Sequence, residues 1–369
     1  MTVRTARTAE TVVYGEEYGS AANTVSVGPL PKGHPRVAPR KIGVMVINLG
    51  TPDSTGFWDV RRYLDEFLSD PRVVDLPRIL WQPILKGIIL NTRPQKTRKA
   101  YEKIWRKDTD ESPLRYFTRV QAERLQERLD PDAAAVRVDY AMRYGNPSIE
   151  FVLERLKADG CDRILTFALY PQYSATTSAT AYDAVFRAMR AMRWQPAIRT
   201  VGAHHDDPIY IDALATQTRA QLAALDFEPE VVMCSFHGLP KVNLERGDPY
   251  HCHCQKTGRL LREALGLAPE RFVVTFQSRF GTQEWLQPYT DKTLEELGAK
   301  GIKKIAVLTP GFVSDCVETL EEIALEARET FMEAGGTHFA ALPCLNESDE
   351  GMAMIETVAR RELSGWLTD

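Results

Sequence analysis

Two short stretches hold the residues best suited to chemistry. They are Ser235-Phe236-His237-Gly238-Leu239-Pro240 and, further on, Ser314-Asp315-Cys316-Val317-Glu318-Thr319-Leu320-Glu321-Glu322. Each begins where a β-branched or apolar run ends, at residues 231–233 and 305–308. In a parallel α/β sheet the carboxyl ends of strands open onto a shared crevice, and ligands bind there. An imidazole ordinarily titrates at about 6.5, so it can take up a proton near neutral pH. Together with a carboxylate it can also hold a borderline divalent metal such as iron. The pair therefore suits a reaction that exchanges protons for a metal ion. Gly238 and Pro240 predict a turn that presents His237 to the crevice, with residues 243–249 as a polar loop beside it. Glu318, Glu322 and Glu326 recur at i, i+4 and i+8, the spacing of one α-helical face. The helix dipole favours acids in a first turn, but Glu326 lies beyond its reach, and a ladder of like charges invites a cation.

The rest of the chain supplies a scaffold for these stretches. Strand-like runs begin near Ile42, Val136, Arg163, Ala197, Val231, Phe272, Ile305 and Phe339. Segments of helical spacing, such as 149–158 and 294–299, separate most of them. Strands alternating with helices predict parallel βαβ units and an α/β fold. The halves also resemble each other. Leu153-Glu154-x-Leu156-x-Ala158-x-Gly160 returns as Leu294-Glu295-x-Leu297-x-Ala299-x-Gly301, continued by Ile164 and Ile305. Arg143-Tyr144-Gly145 precedes the first copy and Arg279-Phe280-Gly281 the second, while Tyr170-Pro171 and Thr309-Pro310 follow the strands. Each helix is expected to end at its glycine in the left-handed conformation. Two similar doubly wound domains follow, each with a parallel four-stranded sheet, at 41–205 and 206–369. A cleft between such domains is a favoured place for a large ligand.

Composition narrows the function further. With 369 residues, 44% apolar and 26% charged, the chain reads as a globular protein of two domains. A net charge of −4 with both signs mixed lacks the basic face that a nucleic-acid binder needs. The cysteines Cys161, Cys234, Cys252, Cys254, Cys316 and Cys344 are scattered, which fits a reducing compartment better than a disulfide framework. Residues 1–40 show no apolar period and read as a mobile extension. Glu10, Glu16 and Glu17 argue there against a secretory signal or an acid-poor transit peptide. His251-Cys252-His253-Cys254 concentrates soft ligands, yet adjacent residues cannot close a tetrahedron by themselves, so a polar loop without a required metal is expected.

Residues 76–90 are apolar but interrupted by Pro77, Arg78, Pro83 and Lys86, too broken to span a bilayer. Trp81 flanked by Arg78, Lys86 and Arg93 is the composition of a surface that dips into a headgroup region. A buried core helix is the alternative.

These stretches carry a family resemblance. Asn48-Leu49-Gly50-Thr51-Pro52, Tyr170-Pro171-Gln172-Tyr173-Ser174, the His237 and Glu318 stretches, Gly247-Asp248-Pro249-Tyr250 and Gln277-Ser278-Arg279-Phe280-Gly281 follow in order. Over residues 41–369 the chain resembles the ferrochelatases of bacterial type, which insert ferrous iron into a porphyrin late in heme synthesis. The resemblance implies two Rossmann-like domains with the active site in the cleft between them. It implies His237 and Glu318 as the catalytic pair and metal ligands, and Glu322 and Glu326 as a proton or metal path. Asn48, Leu49, Arg143, Tyr144, Ser174, Thr176 and Phe312 would contact the porphyrin, and Asp315 would support the pair. Ferrous iron and a porphyrin, expected to be protoporphyrin, are then substrates, and no cofactor is required. Many relatives hold a 2Fe–2S cluster through a cysteine just after Tyr-Pro-Gln-Tyr-Ser and a C-terminal cysteine group. Here Ala175 stands at the first position and only Cys344 lies near the end, so no cluster is expected. The segment 73–93 matches a lip of the family's cleft, which points to a cytoplasmic enzyme peripheral on the inner face of the membrane. Two other readings compete. A chelatase for another tetrapyrrole or metal would usually place two histidines at the metal, and the Glu318 helix has none. A porphyrin or heme carrier without turnover would need no acceptor for two protons.

Overall fold

The computed structural model describes residues 40–367 apart from residue 282. The expected extension therefore lies, except for Arg40, outside the described residues. Eight strands form two parallel sheets of four. The first holds β1 (Lys41–Thr51), β2 (Val136–Gly145), β3 (Cys161–Ala168) and β4 (Ala197–Thr200) in the order β2-β1-β3-β4. In the second, β5 (Val231–His237), β6 (Phe272–Gln277), β7 (Lys304–Leu308) and β8 (His338–Ala341) run β6-β5-β7-β8. The orders correspond strand for strand, so the duplication visible in the sequence is a duplication of topology. Gly160 and Gly301, which end the equivalent helices, have φ of 96° and 94°. A side chain in that left-handed region would be strained, which explains glycine at both places.

Alternation along each strand builds the layers. In β1, Val44 and Val46 point to one face, Met45 and Ile47 to the other, and all four are fully buried. The Val44 face joins an apolar layer shared by both sheets, which also takes Phe167 from β3 and Val232, Cys234 and Phe236 from β5. Helices Pro113–Leu129, Pro208–Ala223, Tyr250–Leu265 and Asp349–Glu362 contribute to this layer. The outer faces are covered separately, the first by Ile149–Ala158 and Thr180–Ala191, the second by Thr290–Ala299 and Glu318–Ala327. The last helix, Asp349–Glu362, packs on Pro113–Leu129 and on β3. Arg199 of β4 clamps its end by donating to the carbonyls of Glu362 and Ser364 at 2.7 and 2.8 Å.

A further cluster stands over the carboxyl ends of β1 and β2. Helices Phe57–Leu68, Arg78–Ile84, Leu85–Ile89 and Leu90–Ile104 bury Tyr63, Leu64, Leu85 and Leu90 against Tyr144. Among the described residues no helix is long and apolar enough to cross a membrane.

Candidate active site

His237 is the last residue of β5. Period-two alternation puts it on the face of Met233 and Ser235, which looks toward the Glu318–Ala327 helix. The next residue has no room for a side chain, because a Cβ on Gly238 would lie 2.6 Å from the carbonyl oxygen of Gln277. The ring Nδ1 lies 2.7 Å from the carbonyl oxygen of Gly238. A carbonyl only accepts, so Nδ1 carries the proton in neutral His237 and the lone pair sits on Nε2. The Tyr250 hydroxyl donates to the His237 carbonyl at 3.0 Å and fastens the strand end. The expected polar loop at 243–249 begins inside a short helix, Lys241–Glu245, because Pro240 starts a turn that the following residues continue.

The acidic ladder follows β7. Residues Glu318–Ala327 form a helix, but one wound with i→i+5 hydrogen bonds rather than the expected α-helical ones. Glu318 and Glu322 are half-buried and Glu326 is exposed, so the carboxylates run from the interior to the surface. Gln277, at the end of β6, ties this helix to the histidine strand. Its amide nitrogen donates to the Glu318 carbonyl at 2.8 Å, and its oxygen accepts from Ser235 Oγ at 2.7 Å. Ser278, held at φ 66°, donates to Glu322. Burial, followed by the negative charge of Glu318, pushes the Glu322 carboxyl up to about 8 against these hydrogen bonds. Asp315 is buried and accepts from Thr319 Oγ1 at 2.8 Å and Asn346 Nδ2 at 2.6 Å, anchoring the start of the helix. Glu321, buried on the same helix, pairs with Lys103 of the other domain at 2.6 Å.

A narrow cavity separates Cys316, Val317 and Glu318 from Leu49, Gly50, Tyr63 and Tyr101. Residues from both sheets thus share one space. Burial and the nearby Glu318 charge raise the Tyr101 phenol far above its ordinary range. Neither Tyr63 nor Tyr101 carried a sequence signal, because each sits on an ordinary amphipathic helix. A roomier surface cavity of about 560 Å³ lies at the far end of the second sheet, beside Leu222, Phe227 and Arg271, and holds none of the ladder.

On the first domain's side, Leu49, Thr176 and, across the cleft, Phe312 keep part of their surface open. Four of the expected porphyrin contacts do not. Tyr144 is fully buried and donates to Asp70 at 2.9 Å. Ser174 is fully buried and donates to Asp248 at 3.0 Å, while Asn48 donates to Thr118 Oγ1 at 3.1 Å. These side chains brace the wall rather than line it, since their polar atoms are already spent. Arg143 is buried as well, paired with Asp70. Asp248 joins the two domains directly, because the same oxygen also accepts from the Ala175 amide at 2.8 Å.

The His251–Cys254 segment is not a loop but the first turn of helix Tyr250–Leu265. Successive helical side chains diverge, so these residues point apart. His253 stacks on His205 at 3.6 Å, Cys254 is buried and Cys252 is exposed. Among the described residues no three His, Cys, Asp or Glu side chains converge as a metal site. The 76–90 segment mixes its two readings. Leu85 is fully buried and Trp81 donates inward to the Leu68 carbonyl at 2.7 Å, whereas Ile79, Leu80 and Ile88 are 84%, 63% and 62% exposed.

Two duplicated parallel sheets, with His237 ending one strand and the carboxylate ladder following another, define a chelatase-type fold. Solved structures agree on the fold. SirB from Bacillus subtilis with Fe3+ superposes with a TM-score of 0.51 at 11% identity, over 88% of this chain and 97% of that one. The family model for ferrochelatase matches residues 41–363. Ferrochelatases of Rhizobium meliloti and Agrobacterium fabrum are 60% and 58% identical, covering 90% and 92% of this chain and 98% of each relative. The chain belongs to the ferrochelatase family, and it is an enzyme of heme synthesis that inserts iron into a porphyrin.

The raised Glu322 carboxyl has a measurable consequence. A group that keeps its proton longer when folded contributes stability that is fully present below its ordinary value of 4.5 and lost as pH rises toward about 8. The difference in unfolding free energy between wild type and Glu322→Gln, measured by denaturant titration on metal-free protein, should therefore fall across that window. A difference that stays constant with pH would mean that Glu322 ionises like a surface glutamate.

Proposed function

We propose that His237 Nε2 and Glu318 accept the two pyrrole protons as ferrous iron enters the macrocycle, with Glu322 and Glu326 as the path onward. The observation that carries this reading is the joint placement of the two groups. Gln277 links the strand that ends in His237 to the helix that begins with Glu318. The Gly238 carbonyl accepts from Nδ1, which leaves the lone pair on Nε2 as the one open to a proton. Glu318 is half-buried and Glu326 exposed, so a proton passed along the ladder reaches water. Ferrous iron is a substrate here, and its hydration shell must be shed as the porphyrin nitrogens replace it. Leu49, Thr176 and Phe312 would meet the porphyrin, with Arg143 at its edge and Asp315 keeping the Glu318 helix in register.

The lip supports a substrate preference and a location. Ile79, Leu80 and Ile88 project beside Arg78 and Lys86, an apolar face with a cationic border suited to the headgroup region of an anionic membrane. A nearly insoluble porphyrin would be collected and released there, so protoporphyrin is favoured over its more carboxylated precursor. The enzyme would work in the cytoplasm, peripheral on the membrane. No iron–sulfur cluster is needed, since Ala175 offers no ligand and Cys344 is buried with its sulfur 3.4 Å from Thr309 Oγ1.

Three measurements follow. His237→Ala should lower kcat by about 10²–10⁴-fold with porphyrin binding retained, and Glu318→Gln should be severe as well, both read anaerobically from the Soret band. Near-normal turnover by the histidine variant would remove the central role assigned to it. Replacing Ile79, Leu80 and Ile88 with Ser should weaken liposome binding by more than about tenfold and raise KM while sparing kcat and Tm. Leu85→Ser should instead lower Tm, and a triple variant that binds liposomes normally refutes the lip reading. Purified, reconstituted, heme-free protein should contain neither stoichiometric iron nor acid-labile sulfide; finding both would establish a cluster.

A further inference from the structure

We propose that Asp70 is a positioning residue that ties the root of the lip to the guanidinium of Arg143, so that lip placement and arginine orientation are set together. The proposal rests on the reading of Arg143 as a porphyrin-side contact. Asp70 is the second residue after helix Phe57–Leu68 and opens the segment that leads to the lip. Its side chain is only 6% exposed. Oxygen Oδ2 accepts from Arg143 Nη2, from Thr180 Oγ1 and from the Tyr144 hydroxyl. The other oxygen accepts from the Arg72 amide at 2.8 Å, and the Asp70 carbonyl takes the amides of Val73 and Val74, each at 3.0 Å. One residue therefore terminates the lip's first turn and pairs with one nitrogen of a buried cation.

Arg143 is fixed from its other side too. Its Nε donates to the carbonyl and hydroxyl oxygens of Thr180 at 2.9 and 2.8 Å, and its guanidinium stacks 4.2 Å over Tyr144. Among the described residues Nη1 has no short partner, the Glu66 carboxylate being 3.9 Å away. Asp70 thereby decides which nitrogen remains available. Arg72, two residues along, donates from Nε to Asp183 at 2.6 Å, on the same helix that supplies Thr180. The lip root and the arginine are thus braced against one element. Packing alone would not select an acid at position 70, because a buried charge is costly unless it is paired.

Asp70→Asn keeps the shape but removes the charge and turns an amide toward several donors. The expected result is a KM for protoporphyrin raised about tenfold with a much smaller change in kcat, and faster deuterium exchange at the amides of residues 72–74. Arg143→Gln should raise KM comparably, and adding Asp70→Asn to it should then raise KM by less than about twofold. That loss of effect separates positioning through Arg143 from a general structural role. If Arg143→Gln leaves KM unchanged, the porphyrin reading of Arg143 fails and the proposal falls with it. If Arg143→Gln is impaired while Asp70→Asn is not, or the two effects multiply, Asp70 does not act through Arg143. Should Asp70→Asn fail to fold, Thr180→Ala removes one donor without altering the charge. It should give a smaller rise in KM that also vanishes beside Arg143→Gln, and persistence there would equally overturn the coupling.

Discussion

One apolar layer, shared by the inner faces of both sheets, underlies everything else in the molecule. Val44 and Val46 from the first sheet and Val232, Cys234 and Phe236 from the second belong to it, with four helices between and around them. Burial of this kind is non-directional and scales with area, so it sets how far apart the domains stand but not their chemistry. Parallel strands add the direction. Most candidate groups sit at or just beyond a carboxyl end: Asn48 and Leu49 late in β1, Arg143 and Tyr144 in β2, His237 in β5, Gln277 in β6, Glu318 beyond β7. With the inner faces packed together, those ends have one place to meet.

Polar groups then secure what the apolar layer leaves loose. Asp248 reaches across to Ser174 and Ala175, Lys103 to Glu321, and Arg199 to the final helix. Exposed ion pairs add little to stability, but buried ones fix geometry, because breaking one strands a charge away from water. Asp70 with Arg143 and Lys103 with Glu321 are of the second kind on at least one side. The wall of the site is therefore held by residues whose polar atoms are already satisfied, which frees the remaining groups to serve a substrate.

The ladder shows the same division between holding and acting. Ser278, in a backbone conformation uncommon for a residue with a side chain, and Gln277 both contact Glu322. Their hydrogen bonds only partly offset its burial and the charge of Glu318. A carboxyl balanced in this way is neither a fixed anion nor a fixed acid near neutral pH, which suits a group that hands protons on.

Much of this was legible in the amino-acid order because local periodicities encode it. Alternating strands, the repeated Leu-Glu-x-Leu-x-Ala-x-Gly, the left-handed glycines and the spacing of Glu318, Glu322 and Glu326 depend only on near neighbours, and the fold class and duplication follow from them. The motif series around His237 and Glu318 likewise marked the family, which the relatives bear out. Burial and convergence were not legible. Leu80 and Leu85 look alike in sequence, yet one is exposed and the other fully buried, because the phase of a helix against its neighbours decides the matter. Tyr144 and Ser174 read as pocket residues until Asp70 and Asp248 are seen to hold them. The wider winding of the Glu318 helix and the meeting of Asp70, Arg143 and Thr180 belong to the same class. Contacts between residues far apart in the chain exist only once the shared core has brought their elements together, so tertiary structure alone could decide them.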